Sequence, residues 1–344
     1  MLRLSPFLLL LAVLAIGGRD LSAQTPEESD EVVRIEADVT NLPFTALDKQ
    51  KRFITTLRQE DIRVFEDNVP QQLFTFQRET DRPLALALLI DVSASEERTL
   101  PAEKAAARSF IETVIQSRKD QVAVIPFTGS AFLEQPLTRD VLGIYRALER
   151  VEVAMPAYLG SGRAITGIVT GPGTRREPRE GSTAIWDAIA LTASEVLTQS
   201  SEPGESRRRA IILLTDGQDT SSVLGIEQAI TRALLAETVI YAIGIGDSKY
   251  QGVDRGSLRT VAERTGGRAF FPKKEEDLRQ VFREIERELR TQYLIAYSSS
   301  NKKRDGAYRQ MRIAVVNPEL KKERVTLRHR PGYFAKAVSN PGGF

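Results

Sequence analysis

The chain has 344 residues, with 48 Lys+Arg against 46 Asp+Glu, no Cys and a single His. That balance gives no long-range field for nucleic acid or an anionic membrane. The lack of Cys rules out disulfides and thiolate chemistry, so the fold depends on its apolar core alone.

Arg3, the apolar run Phe7 to Ile16 and the small-residue end Leu21-Ser22-Ala23 have the layout of a secretory signal peptide cut after Ala23. The run is too short to span a bilayer comfortably. Losing Arg3, Arg19 and Asp20 would leave the remaining chain close to neutral. Residues 24–30 read as an acidic, disordered leader. From 31 to 82, Val33, Ile35, Ala37 and Val39 recur two apart. Ile62-Arg63-Val64-Phe65 and Leu73-Phe74-Thr75-Phe76 flank the turn residues Glu66-Asp67-Asn68. This pattern predicts short, half-buried antiparallel strands.

Leu84 to Ile90 is an unbroken apolar run that stops at Asp91-Val92-Ser93-Ala94-Ser95. A run of that length predicts a strand buried on both faces, and such strands occur at the centre of parallel sheets. The chain then emerges at the carboxyl edge, where open α/β folds place their ligands. Asp91, Ser93 and Ser95 offer hard oxygen donors there, suited to Mg²⁺, Ca²⁺ or Mn²⁺. Taken by themselves they are also ordinary turn residues.

Strands and helices alternate from this point, which predicts a doubly wound, mostly parallel sheet. Helices are expected over 101–117, 141–151, 184–197, 226–235, 257–265 and 275–289. Strands are expected over 121–127, 210–214, 239–243 and 267–271, with a short antiparallel edge over 132–137. Pro126 belongs at a strand end or bulge. Residues 156–181 are rich in Gly, Pro and Arg and longer than a usual connection, either a functional loop with a role in choosing partners or a flexible insertion. Gly160-Ser161-Gly162 and Gly171-Pro172-Gly173 lack the G-K-[ST] of a phosphate loop. Strand patterns return over 292–297, 311–316 and 325–329.

Two later stretches complete a constellation. Gly181-Ser182-Thr183 precedes a helix, and Leu213-Leu214-Thr215-Asp216-Gly217 ends a buried strand. Structural alternatives are a helix N-cap for Thr183 and a plain turn for Asp216. D-x-S-x-S, a Thr after a small-residue turn and an Asp in T-D-G occur here in order. In this the chain resembles the von Willebrand factor type A (VWA) family with an adhesion-type metal site. Gln292 to Tyr297 and Arg330-Pro331-Gly332-Tyr333-Phe334 resemble the flanks of its bacterial acidobacterial-type subfamily.

The resemblance implies a VWA domain over 83–290. It is flanked by a smaller β-sandwich-like unit in which 291–335 pairs with 31–82, and a disordered tail covers 336–344. It implies a divalent cation, Mg²⁺ first with Ca²⁺ or Mn²⁺ as alternatives, at Asp91, Ser93, Ser95, Thr183 and Asp216. Ser93 and Ser95 would bind directly, Thr183 in the partner-engaged state, and at least one Asp through water. A protein partner's Asp or Glu carboxylate would complete the coordination, outside the cytoplasm in a periplasm or beyond the cell. The alternatives are a structural module with an idle site and a metal-dependent hydrolase. A Ser-His-Asp triad has little support, because the one His, His329, is remote in sequence from these residues.

Overall fold

A computed structural model of the chain describes residues 39–78, 82–115, 119–153, 163–164, 182–200, 207–246 and 252–337. The expected signal peptide, the leader, residues from 338 onward and, apart from 163–164, the connection over 156–181 lie outside the described residues.

The chain enters as β1 (Val39–Leu47), β2 (Ile62–Glu66), β3 (Val69–Pro70) and β4 (Leu73–Arg78). Asp67 and Asn68 take positive φ in the β2–β3 hairpin, which suits the small polar residues found there.

The central section is β5 (Leu84–Asp91), α1 (Leu100–Val114), β6 (Gln121–Phe127), β7 (Phe132–Leu133), β8 (Gln135–Thr138), α2 (Val141–Arg150) and β9 (Arg163–Ala164). It continues as α3 (Ile185–Leu191), β10 (Arg208–Thr215), α4 (Ile226–Leu235), β11 (Thr238–Gly244), α5 (Arg255–Arg264), β12 (Arg268–Phe270) and α6 (Glu275–Thr291). Six strands form one sheet in the order β12-β11-β10-β5-β6-β8, parallel except for the antiparallel edge β8. The apolar run of β5 sits at its middle because both its faces are covered. Leu84, Leu86, Leu88 and Ile90 pack with α1, α2 and α6, while Ala85, Ala87 and Leu89 pack with α3, α4 and α5. Pro126 is the next-to-last residue of β6 and lies opposite Ile90 of β5. It falls beyond the last β8 pairing, at Val124, so its missing N–H costs no ladder bond.

The expected continuous helix over 184–197 is broken. After α3 the chain makes a π turn over Thr192–Val196 and a 3-10 turn over Leu197–Ser200. The Ser194 and Thr198 hydroxyls donate to the carbonyls of Ala190 and Ser194 four residues back, a competition that loosens helices.

The chain closes with β13 (Tyr293–Ser298), β14 (Tyr308–Val315), α7 (Pro318–Lys322), β15 (Thr326–His329) and β16 (Gly332–Phe334), and an isolated bridge joins Ala337 to Asp305. The turn α7 is not apparent from the periodicity. Two antiparallel sheets interleave strands from both ends of the chain, in the orders β15-β1-β13-β4 and β16-β14-β2-β3. Leu42, Phe44, Val64, Ile295, Tyr297 and Met311 fill the core between them. The fold class is therefore α/β, with a mostly parallel doubly wound sheet flanked by antiparallel sheets built from both terminal segments. Among the described residues no helix is long and apolar enough to cross a membrane.

Candidate metal centre

Parallel register brings β5, β6 and β10 to one edge, and the residues just beyond the strand ends build the site. Asp91 ends β5 and is wholly buried. Its Oδ1 accepts from the Ser93 amide at 2.9 Å, which bends the chain immediately after the strand. Its Oδ2 accepts from the hydroxyl of Thr215, the last residue of β10, at 2.6 Å. The hydroxyls of Ser93 and Ser95 lie 3.0 Å apart, with Ser93 buried and Ser95 exposed.

Asp216 comes directly after β10, and its Oδ1 accepts from the Gln218 amide at 2.9 Å. Between them Gly217 has φ +84°. A Cβ there would also lie 3.0 Å from the Leu258 side chain, so this turn requires glycine for both backbone and space.

Thr183 reaches the same edge through backbone anchors. Its amide donates to the Thr220 hydroxyl at 2.8 Å, and its carbonyl accepts from the amides of Thr220 and Ser221. The next amide, of Ala184, donates to the Thr128 carbonyl at 2.7 Å. Thr128 directly succeeds Phe127, which pairs with Asp91. Thr183 is not the helix N-cap. Ala184 holds that position, and the free amides of α3 are met from the 219–222 loop instead. Asp219 Oδ1 accepts from Ile185, and the Ser222 hydroxyl accepts from Trp186. Asp187 accepts from the amides of Val223 and Leu224 and ties that loop to the helix.

Two further carboxylates stand outside the expected set. Glu96, the residue after D-x-S-x-S, ends a 3-10 turn over Ala94–Glu96 and is 0% exposed. One candidate ligand oxygen from each of Asp91, Glu96 and Asp216 lies within 4.8 Å of the others. Thr99 donates to Glu96 Oε2 at 2.6 Å, whereas Oε1 has no hydrogen-bond partner. Glu103, in the first turn of α1, is buried, and its carboxyl lies within reach of the Thr99 hydroxyl and the Glu96 carboxyl. The sequence carries a signal for each: a charged residue directly after the motif, and another on the apolar face of α1.

Burial pushes the Asp91 carboxyl up to about 6, against the pull of its bonds from Thr215 and Ser93. Burial and mutual repulsion raise Glu96 well above the ordinary carboxylate range. Glu103 is raised as well, with burial again the main cause and the Asp91 charge adding to it. Hydroxyl and amide donors surround these acids, and among the described residues no Lys or Arg pairs with them. Close, buried oxygen donors with unmet acceptor capacity fit a hard divalent cation.

Two family models described as von Willebrand factor type A domain match this chain, over residues 86–218 and 174–284. No curated protein matches it. Among solved structures it is similar to the conserved hypothetical protein BatB from Bacteroides thetaiotaomicron, at 19% identity and TM-score 0.43, covering 60% of this chain and 98% of that one. It is also similar to proximal thread matrix protein 1 from the mussel byssus, a structure with a zinc-occupied MIDAS motif. That match has 19% identity and TM-score 0.48, covering 65% of this chain and 50% of that one. A von Willebrand factor type A protein from Catenulispora acidiphila aligns at 14% identity and TM-score 0.47, covering 89% and 76%. The two matched family ranges overlap on the central sheet and its helices, and this chain carries a von Willebrand factor type A domain.

Proposed function

We propose that the protein is an exported binding module. It would engage a protein partner through a divalent cation held at the carboxyl edge by Asp91, Ser93, Ser95, Thr183 and Asp216. The observation that carries this reading is the convergence of the Asp91 and Asp216 carboxylates at the ends of neighbouring strands. The Ser93 and Ser95 hydroxyls lie on the loop between Asp91 and Glu96. When bound, the cation supplies a localised positive charge with open coordination positions, and a partner's Asp or Glu carboxylate is the matching donor. The chain's own part is to hold its oxygens in place. Ser93 and Thr215 fix Asp91, the Gln218 amide fixes Asp216, and the Thr220 hydroxyl and amide fix the Thr183 backbone. Mg²⁺ is the first expectation, with Ca²⁺ or Mn²⁺ able to use the same donors.

The proposal extends to organisation. Residues 83–290 form the binding domain, and 31–82 with 291–335 form one β unit that carries it. The signal peptide over 1–23 places the protein in a periplasm or outside the cell. Two measurements test the binding reading. Calorimetric titration of Mg²⁺, Ca²⁺ and Mn²⁺ should show saturable binding to the wild type and none to Asp91→Ala. A pull-down from the exported fraction should then retain partners with Mg²⁺ and release them with EDTA. Absence of binding for all three cations would overturn the metal reading. Partners retained equally in EDTA would overturn metal-dependent adhesion.

A further inference from the structure

The D-x-S-x-S loop runs directly into an acid that the five expected ligands do not include. Glu96 is fully buried, and one of its carboxylate oxygens lies within 4.8 Å of ligand-capable oxygens of both Asp91 and Asp216. Its two oxygens differ. Oε2 is held by the Thr99 hydroxyl at 2.6 Å, which fixes the side chain's direction, while Oε1 is buried without a hydroxyl or amide donor and the Glu103 carboxyl adjoins the group. A buried acceptor without a partner is costly. Once ionised, three acids this close repel, and no Lys or Arg pairs with them among the described residues. A cation between them removes both difficulties at once.

We propose that Glu96 is itself a cation ligand, through Oε1, so that three carboxylates rather than two hold the metal. This rests on the metal-binding reading of the same edge. A third carboxylate raises the ligand charge, the variable by which oxygen sites tune divalent-cation affinity. The site therefore loads without a partner. A partner's carboxylate would compete with Glu96 for the cation, and Thr99 would keep the Glu96 side chain in place. Glu103 stands behind as a neighbour of this group and is not a ligand.

The test uses the whole chain and the metal alone. Mn²⁺ and Mg²⁺ are titrated calorimetrically into the wild type, Asp91→Ala, Glu96→Gln and Glu103→Gln. Glu96→Gln should lower affinity by about tenfold or more, at least the loss typical of disturbing a ligand's own support. Glu103→Gln should change it far less. Wild-type affinity in Glu96→Gln alongside lost binding in Asp91→Ala would overturn this inference and leave the five-residue site standing. No binding to the wild type would overturn both. A second measurement needs no variant. The expected ligands are Asp, Ser and Thr, so wild type carrying ¹³C-carboxyl glutamate should show a labelled infrared carboxylate band that shifts on adding Mn²⁺ only if a glutamate ligates. An unshifted glutamate band with saturable Mn²⁺ binding overturns the role of Glu96.

Discussion

The protein buries acids in two places and treats them in opposite ways. In the β unit Glu66 and Arg309 are each 2% exposed, and their side chains meet at 3.2 Å. Glu66 accepts from Arg309 and Ser299 at one oxygen and from Tyr297 and Tyr333 at the other. Arg309 also donates to the Ser299 hydroxyl and to the carbonyls of Asn301 and Lys303. A buried ion pair is tolerable when its geometry is good and its leftover hydrogen-bonding capacity is used. At the sheet edge, Asp91, Glu96, Glu103 and Asp216 have no such countercharge among the described residues, and several of their oxygens have no donor. The first cluster is complete within the chain, and the second gains most from something outside it.

The contrast breaks with the largest effect at the complete cluster. Arg309→Ala leaves Glu66 charged and buried, and urea unfolding should show a loss of about 3–5 kcal/mol. Replacing Glu66 and Arg309 together by Leu and Met should recover most of that loss, because no lone charge then remains.

At the edge, the cation should do for the acids what Arg309 does for Glu66. At a hundredfold excess over Kd, a cation that binds only the folded chain adds about 2.7 kcal/mol. Thermal unfolding with and without metal should show this gain in the wild type and not in Asp91→Ala. A large loss of metal-free stability in Asp91→Ala would instead mark Asp91 as mainly a turn residue.

Without metal, the edge acids make stability depend on pH with a definite sign. Burial raises Glu96, Glu103 and Asp91, so the folded chain keeps protons that the unfolded chain has already released. Their contribution is full below the ordinary carboxylate range and is lost as pH rises through the folded values, about 6 for Asp91 and higher for the two Glu. The metal-free protein should therefore melt at higher temperature near pH 5 than near pH 9. Glu103→Gln should flatten this profile and stabilise the alkaline end by about 1–3 kcal/mol. A flat wild-type profile would contradict the burial argument.

The smallest effect belongs to Ser95, which is exposed. Ser95→Ala should change metal-free stability by no more than about 0.5 kcal/mol. Cation affinity should still fall, because a direct oxygen donor is gone. Unchanged affinity would remove Ser95 from the site.

Much of the fold is legible in the amino-acid order because it is local. Seven apolar residues before Asp91 require two covered faces, and periodicity places the helices that cover them. A strand that ends in D-x-S-x-S must turn where α/β folds expose their edge. The T-D-G sequence announces its own turn, since Gly217 takes a φ few other residues accept. Tertiary structure decides whatever depends on residues far apart. Glu66 and Arg309 belong to opposite ends of the chain, and no periodicity in either strand predicts that they meet. Thr183 precedes a helix and by local rules should cap it. The caps come instead from Asp219 and Ser222, some three dozen residues later, which leaves Thr183 tied to the edge. Glu96 stands beside the motif, yet a charged residue in a loop is ordinarily solvated. Only the turn over Ala94–Glu96, the Thr99 hydroxyl and the packing of α1 direct it inward, toward Asp91 and Asp216.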